Sequence, residues 1–156
     1  ELKKLPEVAV FSESLEENAM VQLIVGEKGK GKTKVLLDKA NNGVKEAKGS
    51  VVYLDKSTKH MYELNNKVRL IDASEFMIDN ADNFIGFICG VISQDHDLEQ
   101  MYLDSFLKVA KLEGADISAT LNKLEAIGEK YHVTFVLSIS MDSAKLPEDM
   151  KSKVIN

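Results

Sequence analysis

The run Gly26-Glu27-Lys28-Gly29-Lys30-Gly31-Lys32-Thr33 interleaves three glycines with three lysines and ends on a hydroxyl residue. Val21 to Val25 before it is a short apolar run suited to a buried strand, and Lys32 to Ala40 after it has neither glycine nor proline and reads as a helix. A strand that turns through glycines straight into a helix restricts the chain to an α/β unit. The glycines let successive backbone N–H groups curl towards one concavity, and the helix N-terminus adds its positive end to the same point. Glycine, four residues, glycine, lysine and then threonine is the spacing at which such a concavity holds polyphosphate, with Lys32 reaching the outer phosphates and the Thr33 hydroxyl available to Mg²⁺.

The rest of the chain repeats the alternation. The first helix is expected to end at Asn41 to Gly43 on a left-handed cap. Val51 to Leu54 and Val68 to Ile71 read as strands, with a short helix or helical turn between them over Ser57 to Asn66. In Ile78 to Ser93, Ala81, Phe84, Ile85, Ile88, Cys89 and Ile92 recur at three- and four-residue spacing, so a helix is predicted, capped by Asp79 or Asn80. Its Gly86 and Gly90, four apart, would let another backbone approach closely. Met101 to Leu103 is a fourth strand, Ser105 to Leu112 turns helical, Asp116 caps a helix running to Tyr131, and Val133 to Ile139 is a fifth strand before a short tail beyond Pro147. Strands alternating with helices predict an α/β fold of three layers around a mainly parallel sheet of about five strands.

Composition sets the class. The 156 residues suffice for one well-buried core, and 44% hydrophobic with 29% charged residues is the balance of a globular protein. No apolar stretch nears the roughly 18 residues of a membrane span. A formal charge of −5 argues against broad nucleic-acid binding, though a local basic patch remains compatible with it. Cys89 is the only cysteine and no secretory signal is visible, which suits a reducing cytoplasm. Residues 1–19 differ in character from residues 20–156, which are expected to form the nucleotide-binding domain. With Met20 just before the first core strand, they are either a natural N-terminal arm, with a short strand at Val8 to Phe11, or a segment foreign to the natural chain.

Three strands end in aspartate: Asp55, Asp72 and Asp104. In a parallel sheet these ends share the edge that carries the glycine loop, where open α/β sheets bind ligands. Met101-Tyr102-Leu103-Asp104 best fits an apolar strand delivering an acid to magnesium. His60, His96 and His132 lack zinc spacing and are assigned solvated or capping roles. Core packing is the reading for Phe84, Phe87 and Cys89.

The chain resembles a small member of the P-loop nucleoside triphosphatases, with Gly26 to Thr33 similar to their Walker A element and Asp104 to their Walker B acid. Val51-Val52-Tyr53-Leu54-Asp55 is similar to the strand after the first helix in the RecA-like branch. The chain is also similar to small bacterial ATP-binding proteins sometimes labelled as relatives of twitching-motility ATPases, motors that are much larger and whose further acidic and histidine boxes have no counterpart here. The resemblance implies ATP and Mg²⁺ as cofactors. Gly26, Glu27, Lys28, Gly29, Lys30, Gly31, Lys32, Thr33 and Lys34 would contact nucleotide, Thr33 and Asp104 would serve the metal, and Lys32, Asp55 and Asp104 would be catalytic, Asp55 as a general base. Ser138 or Ser140 would sense the outermost phosphate.

Two departures temper the activity that the resemblance implies. Ser105 follows Asp104 where many RecA-like ATPases carry a catalytic glutamate, and Arg69, the only arginine, falls within a predicted strand. The expectation is a slow ATPase, or one activated by an arginine from a homo-oligomer or a partner protein. A small-molecule kinase and a non-catalytic nucleotide-binding adaptor are the alternatives. Asn122-Lys123-Leu124-Glu125 approaches a guanine-reading motif, but it lies inside a predicted helix, so adenine is the default.

Overall fold

Alternating apolar residues give the strands two buried faces, and five of them pair into one sheet in a computed structural model that describes residues 19–29 and 31–156. Lys30 and the strand expected over Val8 to Phe11 lie outside the described residues. The order of elements is β1 (Val21–Gly26), α1 (Lys32–Glu46), β2 (Ser50–Asp55), β3 (Val68–Asp72), α2 (Ala81–Ser93), β4 (Leu98–Leu103), α3 (Phe106–Val109), α4 (Ser118–Tyr131) and β5 (Thr134–Ser140). The sheet runs β1-β5-β4-β2-β3 and every pairing is parallel. All strand ends that follow the chain direction therefore lie along one edge.

The period of two decides which helix each strand residue meets. Ile24, Val51, Tyr53, Tyr102 and Val136 pack with Leu36, Leu37, Ala40 and Val44 of α1. Their neighbours Leu23, Val52, Met101 and Phe135 face the other side, against a larger core that includes Phe84 and Ile88 of α2 and Leu121 and Leu124 of α4. Phe84 meets Phe106 of α3 edge-on, with ring centroids 5.7 Å apart. Helices on both faces of a parallel sheet complete the three-layer α/β architecture that the sequence predicts.

The outer edge of β1 is covered by the C-terminal tail. Val154 bridges to Leu23, the Ile155 N–H donates to the Leu23 carbonyl at 2.9 Å, and the Asn156 side chain bonds both the N–H and the carbonyl of Val25. Lys153 pairs with Glu125 of α4 at 2.9 Å and pins the same tail. An edge that would otherwise offer unpaired backbone groups is thereby closed.

Some expectations need correction. Helix α1 does not stop at Gly43 but runs on to Glu46, and Gly43 is not among the positive-φ glycines. A β-carbon there would collide with Gln100 Oε1 and the Tyr102 hydroxyl, so this glycine serves close approach to β4. Conversely, Gly86 and Gly90 of α2 have nothing within 4 Å of a built β-carbon, and no backbone approaches them there. Cys89 of α2, expected to pack in the core, is exposed. The segment Ser57 to Asn66 forms the helical turn expected of it, a three-residue 3₁₀ turn at Met61–Glu63. Asn80 caps α2 as expected, accepting the Asn83 N–H at 2.8 Å, whereas the N-cap of α4 is Ile117, and Asp116 bonds the Ser118 N–H at 3.0 Å from one residue before it. Among the described residues no helix is long and apolar enough to cross a membrane.

Candidate functional site

The loop between β1 and α1 is shaped by two left-handed glycines, Gly29 at φ 85° and Gly31 at φ 78°, a region that side chains disfavour. Gly31 stands immediately before Lys32, the first residue of α1, and its carbonyl accepts the Val35 N–H at 3.3 Å. The first turn of α1 has neither an acidic residue nor a side-chain cap, so its N–H groups and positive dipole end are left for an external anion. Lys32 Nζ donates to the Glu27 carbonyl at 2.9 Å, folded back over its own loop. Partial burial pulls its ammonium below the usual lysine value, against the opposing charge of Asp104.

Alternation brings the acid to this loop. Tyr102 faces α1, so Asp104, two residues on, emerges on the same face, and Val136 and Ser138 of β5 share the relation. Leu103 pairs with Leu137, which sets Asp104 beside Ser138. Asp104 is 3% exposed and fully engaged. Its Oδ1 accepts the Ser138 hydroxyl at 2.7 Å, the Ser105 N–H at 2.8 Å and the Thr33 hydroxyl at 3.3 Å. Its Oδ2 accepts the Tyr53 hydroxyl at 2.6 Å. Burial, then the charge and hydrogen bond of Asp104, hold the Tyr53 phenol far above the usual tyrosine range. Tyr53 stacks on Tyr102, with centroids 6.5 Å apart, and burial pushes the Tyr102 phenol up to about 12.

These groups open on a cavity of about 530 Å³, within the range of small-molecule sites. Lys28, Lys32, Thr33, Asp104, Ser138 and Ser140 line it, so the structure brings together most of the residues the sequence nominates. Lys34 is exposed away from the lining. Asp55 is buried beside Asp104, off the cavity wall, and its Oδ1 accepts the Lys56 N–H at 2.7 Å. Burial, and next the Asp104 charge, raise its carboxyl above the ordinary value. Asp72 is occupied in a turn, bonding Ser74 through both N–H and hydroxyl. Arg69 pairs with Asp95 at 3.0 Å and does not line the cavity.

Sequence reading passed over Tyr53, and also Lys56, Lys108 and Glu113 of the lining, and it gave His60, which lines the cavity too, a solvated or capping role. Tyr53 had a usable signal, since it shares the alternation that places Tyr102 and Asp104 on the α1 face. The others come from loops and the short α3, where no period exists to follow. Ser105 lines the cavity as well, left-handed at φ 52° and with its N–H shared between Asp104 Oδ1 and Ser138 Oγ.

The donor set fits magnesium. Mg²⁺ takes oxygen ligands and keeps most of its shell as water and phosphate, so one or two protein oxygens suffice. Thr33 Oγ1 and Asp104 Oδ1 supply that pair at the cavity wall. Among the described residues no cluster of three or more His, Cys, Asp or Glu could form a self-sufficient metal cage.

No protein-family model matches the chain, and no curated protein matches it. Among solved structures it is similar to a KaiC-like protein from the hyperthermophilic archaeon Pyrococcus horikoshii OT3, with a TM-score of 0.59 and 22% identity. The match covers 86% of this chain and 66% of that protein. The likeness is one of fold: a P-loop NTPase-like α/β architecture with a five-stranded parallel sheet.

Proposed function

We propose that the chain binds Mg-ATP on the loop from Gly26 to Thr33 and hydrolyses it slowly. The carrying observation is that the Thr33 and Ser138 hydroxyls meet on one oxygen of a buried Asp104, at the wall of a cavity that also holds Lys32. The loop and helix amides would cradle the phosphates, and Lys32 would exchange the Glu27 carbonyl for phosphate oxygen. Thr33 and Asp104 would hold magnesium, which would supply positive charge against the outer phosphates. Asp55 remains the candidate to activate water, and its place off the cavity wall accounts for slow turnover in this reading. The ammonium groups of Lys28, Lys56 and Lys108 would meet charge developing on the transferred phosphoryl, or a second copy or partner would bring an arginine, since Arg69 is engaged elsewhere.

Support comes from the fold shared with a KaiC-like protein and from the site geometry. Calorimetry of the wild type and Lys32→Ala with ATP and ADP, with and without Mg²⁺, tests it. Absence of Mg-dependent binding in the wild type would sink the reading.

One observation favours a second reading, a nucleotide-binding adaptor that does not turn over. The residue after Asp104 is a serine whose amide is tied into the acid's own network and which brings no carboxylate to the cavity. Hydrolysis with protein in excess over ATP separates the two: ADP formation abolished by Asp104→Ala counts against the adaptor.

A further inference from the structure

We propose that a second hollow, adjoining the phosphate cavity, binds a small organic anion: a phosphate or carboxylate carried on a flat apolar body. The hollow measures about 470 Å³ and lies between the loop after β2, the segment after β3 and α3. Lys56 and Lys108 line both cavities, and Lys111 joins them in the second. Among the described residues none of these three ammonium groups has a carboxylate partner within 4.0 Å. In a chain of formal charge −5, three unpaired lysines around one hollow reverse the overall sign, with Asp79 the one carboxylate on its wall.

The wall between the charges is apolar. Ala73, Ile78 and Val109 are buried beneath it, while Phe76 and Met77 stand at the rim, 48% and 85% exposed. Phe76 is held in place by Phe87 of α2, with centroids 5.1 Å apart, so the ring at the rim is a supported side chain. Lysines alone would suit any anion; a supported aromatic ring and a thioether beside them select one with a flat hydrophobic body.

Backbone strain marks the same place. Helix α3 is a single turn held between Ser105 at φ 52° and Lys111 at φ 59°, both left-handed without being glycine. Such conformations are costly and persist where the surroundings enforce them, commonly at ligand sites. Ser105 joins α3 to Asp104, and Lys111 sets the lysine on the wall of the second hollow. One short element thus borders both cavities, and its Lys108 belongs to each.

The test is an amide chemical-shift titration of the full chain with phenyl phosphate, with benzoate, inorganic phosphate and benzyl alcohol as separate arms. It is run on the wild type and on Lys32→Ala, which disables the glycine loop. Saturable shifts at residues 74–79 and 108–111 are expected with phenyl phosphate or benzoate in both proteins, and the tighter of the two identifies the anionic group. Lys108→Ala combined with Lys111→Ala should weaken binding by roughly tenfold or more, and Phe76→Ala should weaken the aromatic anions without moving the response to inorganic phosphate. Shifts confined to the glycine loop, absence of saturation, or equal binding of inorganic phosphate and phenyl phosphate would overturn the proposal. Because Lys32→Ala is expected to retain the second-site response, failure of ATP binding and failure of this site are distinguishable.

Discussion

The Tyr53 hydroxyl reaches 2.6 Å to Asp104 Oδ2 from the adjacent strand, while the ring that carries it lies fully buried against Tyr102. It occupies the one carboxylate oxygen that Thr33, Ser105 and Ser138 leave free, so Oδ1 alone faces the loop. Tyr53→Phe keeps the ring and removes the donor, leaving a charged oxygen buried without its partner. Stability should fall by about 1.5–3 kcal/mol, the scale of a hydrogen bond to a charged group, as read from urea unfolding. If the hydroxyl also orients Asp104, the Mg-dependent part of ATP affinity should fall at least threefold (~0.7 kcal/mol) while Mg-free binding stays unchanged. A loss of stability with no change in that ratio would reduce Tyr53 to a structural role.

Lys32 and Lys34 lie two residues apart at the start of the same helix, yet only Lys32 enters the cavity. Lys32→Ala should weaken Mg-ATP at least tenfold, about 1.4 kcal/mol, whereas Lys34→Ala removes an exposed side chain and leaves its amide in place. Calorimetry on the two variants should therefore separate them, with Lys34→Ala within roughly twofold of wild type.

How far the sequence could be read depended on whether a period or a local rule governed the residue. Period two in β2, β4 and β5 and period 3.6 in α2 gave the strands, the helix and the placement of Asp104, since burial enforces them. The β1-to-α1 turn was legible because few residues other than glycine tolerate the φ of Gly29 and Gly31. Gly43 misled for the same reason inverted: a glycine after asparagines looks like a stop, and only the approach of Gln100 and Tyr102, distant in sequence, explains its place inside a helix. Lys56 and His60 from the loop after β2 and Lys108 from the helix after β4 line one cavity, a convergence that no local pattern encodes.

Asp55 gives a pH dependence with a definite sign. Its carboxyl is raised in the folded protein, first by burial and then by Asp104, so the native state holds the proton more tightly than the unfolded chain does. The cost of the buried charge is absent below the ordinary value of 3.8 and grows as pH rises through the folded value. Asp55→Asn keeps an oxygen for the Lys56 N–H without the charge. Its urea midpoint should exceed that of the wild type near pH 7, with the advantage shrinking as pH falls towards about 4. An advantage that grows on acidification would show that Asp55 is stabilised as an anion instead.

The two kinds of helical glycine make opposite predictions. At Gly43 a β-carbon would run into Gln100 Oε1 and the Tyr102 hydroxyl, two groups that bond each other at 2.7 Å. Gly43→Ala must therefore push α1 off β4 or break that bond, at a cost of roughly 1–3 kcal/mol. At Gly86 nothing lies within 4 Å, so alanine adds helix propensity without a clash, and Gly86→Ala should stabilise by about 0.5–1 kcal/mol. Because α1 carries Lys32 and Thr33 at its start, displacement of α1 by Gly43→Ala should also weaken Mg-ATP binding, whereas relief through the Gln100–Tyr102 bond alone, like Gly86→Ala, leaves it unaltered. Thermal unfolding with and without Mg-ATP reads both effects together: a Gly43→Ala protein as stable as wild type, or a Gly86→Ala protein that loses stability, would contradict the packing of α1 on β4 or the open face of α2 respectively.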